Sequence, residues 1–219
     1  MTSPLSDAAR SSARLGVLGG TFDPPHEGHL HAARRARAAF ALDHVVFVPA
    51  GRPPHKSQRE LAPAEERVAM LTLLLAGERA CSIWGAELER DGPSYTVDTL
   101  HALRREVGPA TRFFLVLGED NLAAFASWHQ AEEIVRLAQP VVVHRAGNDP
   151  GLLSAGTAAL SEFARARFAL GAIAGDPVEV SSTELREHLG RGQVPERGLP
   201  EPLRAHLRSR LLYRAPESG

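Results

Sequence analysis

The stretch Leu15-Gly-Val-Leu-Gly-Gly-Thr-Phe-Asp-Pro-Pro-His-Glu-Gly-His-Leu30 constrains the fold more than any other part of the chain. Leu15, Val17 and Leu18 read as a short buried strand, Gly19 and Gly20 as a turn that lets backbone approach a ligand, and Gly28 to Leu30 as the first turn of a helix. Such a junction directs backbone N–H groups and the positive end of a helix dipole past the strand end, which suits a phosphate. His26 and His29 are spaced by three, so both rings can face the same anion, and a histidine can donate hydrogen bonds or carry a proton against growing phosphate charge. In isolation a His-x-Gly-His is more often a pair of ordinary loop histidines. The strand before it and the helix after it favour the phosphate reading here.

A helix over His29 to Phe40 and a second buried strand, His44-Val-Val-Phe-Val-Pro49, complete a βαβ unit. Its right-handed crossover sets Gly19 and Pro49 at one rim of a parallel sheet. The loop that follows, Ala50-Gly-Arg-Pro-Pro-His-Lys56, carries the only lysine of the chain, a compact ammonium placed for a phosphate contact. Pro63 to Ala76 reads as a helix with Ala64, Val68, Leu71 and Leu75 on its core face, followed by a short strand near Cys81 to Trp84. Asp91-Gly-Pro-Ser94 is a turn, with Ser94 or Thr96 capping a helix that buries Val97, Leu100, Leu103 and Val107. Phe113 to Gly118 is the most strongly apolar strand. Asp120, just past its end, suits a ribose hydroxyl or a helix cap. Pro140 to Arg145 and Val178 to Val180 are further strands, with a helical stretch between them and Ser181, Ser182 and Thr183 opening a helix over Glu184 to Leu189. That cap is a second cradle for phosphate, and Arg186, one turn in, can bind one bidentately. A closing helix is expected between Leu199 and Arg214.

With 219 residues and 43% hydrophobic content the chain can bury a full core, most simply as one domain over 14–219. A formal charge of −1 and a pI of about 6.8 give no basic field for nucleic acid, so a small substrate is the better expectation. The single cysteine, Cys81, excludes an internal disulfide framework and a cysteine-rich zinc site, in keeping with a cytoplasmic location. No apolar run is long enough to span a membrane. Residues 1–13 are rich in Ser, Ala and Arg and read as a disordered leader with no signal-peptide core.

Gly20-Thr-Phe-Asp-Pro24 with His26-Glu-Gly-His29 resembles the signature of the nucleotidyltransferase superfamily, and the chain is most similar to the bacterial nicotinate-nucleotide adenylyltransferases. Pro53-Pro-His-Lys56, Pro93-Ser-Tyr-Thr96, Phe125-Ala-Ser-Trp-His129 and Val180-Ser-Ser-Thr-Glu-Leu-Arg186 fit the family in order, Val180 and Leu185 being conservative changes. The resemblance implies an α/β, Rossmann-like, doubly wound parallel sheet with a C-terminal helical segment. It implies transfer of the adenylyl group of ATP to nicotinate mononucleotide, with His26, His29, Lys56 and Arg186 as catalytic residues. Gly19, Gly20, Thr21, Phe22, Gly118, Asp120, Ser181, Ser182 and Thr183 would bind ATP. Tyr95, Thr96, Trp128, His129 and His55 would bind the nicotinate nucleotide, with Trp128 stacked on the pyridine ring and His129 helping to hold its carboxylate.

Packing in the core is the alternative for Trp128. Glu119 departs from the small or amide residue usual there and would add negative charge near anionic ligands unless it turns to solvent. Mg²⁺ is expected with the ATP, coordinated mostly by phosphates because no protein metal site is apparent. A homodimer stays open, as do two other functions: a sister enzyme with another acceptor, such as phosphopantetheine or nicotinamide mononucleotide, and a nucleotide-binding protein without catalysis.

Overall fold

The computed structural model describes residues 3–54, 61–144, 150–173, 180–210 and 212–213. Within them the apolar runs become strands β1 (Arg14–Gly20), β2 (His44–Pro49), β3 (Cys81–Ile83), β4 (Arg112–Gly118), β5 (Ala138–Val143) and β6 (Ala172–Ile173). All neighbouring pairs are parallel, in the order β3-β2-β1-β4-β5-β6. A parallel sheet needs helices on both faces. Accordingly β2 is buried at every position. The helices are α1 (Asp7–Arg10), α2 (Glu27–Phe40), α3 (Ala64–Leu74), α4 (Thr96–Val107), α5 (Glu119–Ala124), α6 (Ala131–Leu137), α7 (Pro150–Thr157), α8 (Glu162–Gly171), α9 (Ser182–Gly190) and α10 (Glu201–Arg210).

Strand alternation divides the core in two. Leu15, Val17, Val46 and Val48 face Leu100 and Leu103 of α4, Ile134 of α6 and Phe168 of α8. Leu18, Val45, Phe47 and Val116 face Leu30 of α2, Leu71 of α3, Leu185 of α9 and Leu203 of α10.

The strand order reverses at β1, which lies between β2 and β4. Pairing of β1 with β4 ends at Val17 and Leu115, although the strands run on to Gly20 and Gly118. Their ends therefore part, and a crevice opens at the carboxyl edge of the sheet, where open α/β folds bind ligands. A Cβ built on Gly19 or Gly118 would meet nothing within 4 Å. The doubly wound α/β class expected from the sequence is the one observed.

Three expectations need correction. Residues 3–13 are not a disordered leader: α1 is capped by Ser6, Leu5 is 4% exposed and Ala9 fully buried in the α4 side of the core, and Ser3 accepts a hydrogen bond from the Gly85 N–H. Leu5 and Ala9 find apolar partners distant in sequence, which composition did not reveal. On α3 the buried face is Arg67, Met70, Leu71 and Leu74, with Leu75 following; Ala64 and Val68 are only half-buried, because α3 also packs against α10. Neither Ser94 nor Thr96 caps α4, whose N-cap is Tyr95 with no side-chain bond. Of the strand expected over 178–180, residues 178 and 179 lie outside the described residues. No helix among the described residues is long and apolar enough to cross a membrane.

Candidate active site

The chain leaves β1 at Gly20, passes through Thr21 to Pro25 beyond the strand end and enters α2 with His26 as N-cap. His29 is one turn in. The His26 backbone N–H donates to His29 Nδ1 at 3.2 Å, and the two rings lie 3.9 Å apart between centroids, tilted by 36°. A neutral His29 whose Nδ1 accepts carries its proton on Nε2. Phe22 supports His29: it is 1% exposed, meets the His29 ring edge-on at 5.0 Å and leans on Phe47 at 5.7 Å. It adopts φ 50°, a left-handed conformation that costs a bulky residue about 1–3 kcal/mol and persists only where its surroundings impose it.

Those surroundings are side chains from distant helices that occupy the carbonyls of the crossing. Arg67 Nη1 of α3 donates to Thr21 O at 2.8 Å, Arg186 Nη1 of α9 to Asp23 O at 2.7 Å, and Ser182 Oγ to Pro24 O at 2.9 Å. Since a trans peptide sets C=O and N–H on opposite sides, fixing the Thr21 carbonyl toward Arg67 turns the Phe22 N–H to the other side of the loop. Arg186 Nη2 also donates to Thr183 Oγ1 at 3.2 Å, and Ser181 Oγ accepts from the Glu184 N–H as the α9 cap. The two cradles expected from opposite ends of the sequence are thus one structure, with the N-terminus of α9 seated on the first motif.

Two buried groups of this structure received no role in the sequence reading. Asp23 is fully buried, and its Oδ1 accepts from Tyr213 Oη at 2.6 Å and from the Ala62 N–H at 3.2 Å. Burial pulls the Arg67 guanidinium below its usual value, and the Asp23 charge works against that. Burial and the same charge push the Tyr213 phenol far above its ordinary value, so its O–H remains a donor. Only the position of Asp23 inside the motif hinted at this; the partners are long-range.

Beyond the end of β2, Ser94 Oγ accepts from the N–H groups of Gly51 and Arg52, both at 3.0 Å, tying the loop after β2 to the start of α4. Below it Glu87 is buried, and desolvation pushes its carboxyl above the ordinary range against a 2.5 Å hydrogen bond from Thr99 Oγ1. Tyr95, just before Thr96, brings its ring to 4.5 Å from that of His129, tilted by 36°. Trp128 is half-buried and packs on Phe125 at 5.1 Å, while His129 and Gln130 stand at the surface. Gly118 is the N-cap of α5, and Asp120 is exposed in its first turn. Glu119 is half-buried and turns to a buried partner: its Oε1 lies 2.9 Å from Nδ1 of His144, a fully enclosed side chain after β5. His55 and Lys56 lie outside the described residues.

The family described as cytidylyltransferase-like matches residues 17–188. A probable nicotinate-nucleotide adenylyltransferase of Dehalococcoides mccartyi is 37% identical over 205 residues, covering 92% of this chain and 98% of its own. Another from Chromobacterium violaceum is 38% identical over 213 residues, covering 93% of this chain and all of its own. Among solved structures, Plasmodium falciparum nicotinic acid mononucleotide adenylyltransferase complexed with NaAD superposes with a TM-score of 0.66 at 17% identity, over 91% of this chain and 97% of that one; this likeness concerns the fold. Sequence likeness along the full length of such relatives joins the motif order and the crevice in one conclusion: the chain belongs to the cytidylyltransferase-like family, among its nicotinate-nucleotide adenylyltransferases.

Proposed function

We propose that this protein transfers the adenylyl group of ATP to nicotinate mononucleotide, giving nicotinate adenine dinucleotide and pyrophosphate, a step in the biosynthesis of NAD. The observation that carries the reading is the close His26 and His29 ring pair at the N-terminus of α2, just past the carboxyl end of β1, with Arg186 from the far end of the chain bonded to the Asp23 carbonyl of the loop that leads to it. The names of the relatives support the acceptor. The acting unit is one nucleotidyltransferase domain, whose core takes in Leu5 and Ala9 as well as the stretch from residue 14 onward.

In the reaction an oxygen of the nicotinate mononucleotide phosphate forms a bond to the α-phosphorus of ATP as the bond to the β-phosphate oxygen breaks, and the electron pair leaves on pyrophosphate. The nucleophile is already an anion, so no base is required. The protein's part is in-line positioning and stabilisation of charge. His26, His29 and Arg186, with Lys56, meet the α-phosphate and the departing pyrophosphate. Backbone at Gly19, Gly20, Thr21 and Phe22 and the start of α9 at Ser181, Ser182 and Thr183 add donors. Gly118 leaves room for the nucleotide, and Asp120 takes ribose hydroxyls. Tyr95, Thr96, Trp128, His129 and His55 receive the nicotinate moiety. Among the described residues no three His, Cys, Asp or Glu side chains gather as a metal cage, so Mg²⁺ would enter on the triphosphate and offset its charge.

The test is pyrophosphate release from ATP and Mg²⁺ with nicotinate mononucleotide, beside nicotinamide mononucleotide and phosphopantetheine. A clear preference for the nicotinate nucleotide is expected. Preference for another acceptor would overturn the ring pocket and leave the phosphate chemistry standing; no release with any of the three would overturn both.

A further inference from the structure

Asp23 is a fully buried carboxylate that the adenylyl transfer does not use, and it lies three residues before His26 in the crossing from β1 to α2. A carboxylate removed from water must be held by donors and opposite charge. Its Oδ1 has the Tyr213 hydroxyl at 2.6 Å and the Ala62 N–H at 3.2 Å. Arg67, 2% exposed, supplies charge to the same cluster while its Nε and Nη1 grip the carbonyls of Ala62 at 3.1 Å and Thr21 at 2.8 Å. Tyr213 comes from beyond α10, 190 residues away in sequence, and sits at φ 75°, in the left-handed region that residues with a Cβ seldom enter.

We propose that Tyr213 and Arg67 are positioning residues for the phosphate loop: through the Asp23 carboxylate and the Thr21 carbonyl they set the crossing from Thr21 to Pro24, and with it the rings of His26 and His29. The proposal rests on the adenylyl-transfer reading, since that loop is where the triphosphate is received. Without the Tyr213 hydroxyl, Asp23 Oδ1 keeps the Ala62 N–H, and the buried carboxylate must shift or admit water. A shift there moves a loop that reaches the His26 N-cap three residues on. Misplacement of charge-stabilising groups by a fraction of an ångström lowers turnover more than it lowers binding.

The experiment compares Tyr213→Phe, Asp23→Asn, their double variant and Arg67→Lys with the parent, by steady-state kinetics, thermal unfolding and NMR of the histidine rings. His206→Ala is the control: it removes the 2.9 Å contact to Glu66 that joins α10 to α3 without touching the loop. Tyr213→Phe is expected to lower kcat about tenfold with a smaller change in KM for ATP. The double variant is expected to lose no more than the worse single one, because both act through one contact. His26 and His29 ring signals are expected to move in Tyr213→Phe and Arg67→Lys and to stay in His206→Ala, which lowers Tm alone. Parental kcat in Tyr213→Phe despite a lowered Tm, or losses that multiply in the double variant, would overturn the proposal. Should Tyr213→Phe not fold, Arg67→Lys decides by the same readings. An inactive parent would sink the adenylyl-transfer reading, and the ring signals would still decide this one: unmoved rings overturn it, moved rings support it.

Discussion

At the scale of single residues, the site depends on which atom of His29 holds its proton. The His26 N–H donates to Nδ1, so in the proposed reading the neutral ring would present its Nε2 proton to a phosphate oxygen. The bond also ties the His29 ring to the cap of its own helix, so the donor is positioned before substrate binds. Replacement of His29 by Ala is therefore expected to lower kcat about 10²–10³-fold, the usual cost of one pre-placed donor to a developing anion. Isothermal calorimetry should find ATP affinity changed far less; an equal loss in affinity and turnover would mean that His29 only binds. His26 and His29 were legible in the sequence because a strand, a glycine turn and a helix bracket them within one stretch. Asp23 stood in the same stretch and its surroundings were not legible, because Tyr213 and Arg67 come from parts of the chain that no local spacing brings near. Glu119 was legible as an oddity only, since its buried partner His144 follows a different strand.

At the scale of elements, the glycine between the two histidines has a steric explanation. A Cβ on Gly28 would lie 2.9 Å from His26 Nδ1, 3.0 Å from its Cε1 and 3.3 Å from Cγ1 of Val180. The first turn of α2 must be bare so that the N-cap ring can lie back over it while the segment leading into α9 closes from the other side. Helix propensity alone would favour Ala there by about 1 kcal/mol. Gly28→Ala should consequently keep or raise Tm and lower kcat about tenfold by displacing the His26 ring. Parental turnover in a stable Gly28→Ala protein would show that the ring has room. Both strand-to-helix junctions were readable from the sequence, because caps and apolar runs are local. The docking of α9 onto the first motif, through Ser182 and Arg186, was not, because side-chain bonds to the Pro24 and Asp23 carbonyls leave no mark in composition or period. The face of α3 was misjudged for a related reason: Arg67 reads as a surface residue until its acceptors are known.

At the scale of the whole molecule, the sheet separates the two sets of residues proposed for the site. The residues proposed for the phosphates, His26, His29 and Arg186, belong to helices on the core face built by α2, α3, α9 and α10, whereas the start of α4 and Trp128, proposed for the nicotinate moiety, rest on the opposite face. Alternation of helices and strands made the parallel sheet legible and the family resemblance implied its doubly wound arrangement, while the strand order around β1 came from the structure. The N-terminal segment was not legible, since two apolar side chains among Ser, Ala and Arg carry no period. It completes the second face: Leu5, 4% exposed, joins Trp84, Val97, Leu100 and Leu103 in one cluster. Truncating a leucine so enclosed costs about 2–5 kcal/mol, and each kcal/mol lowers the midpoint of a chain this size by about 2–4 °C. Leu5→Ala should thus melt several degrees below the parent, by calorimetry, and keep its kcat within about twofold at 25 °C, because no side chain of the phosphate loop leans on that face. An unchanged Tm would mean that the segment adds nothing to the core. A fallen kcat at temperatures where the variant is fully folded would mean instead that the two faces are coupled through the sheet.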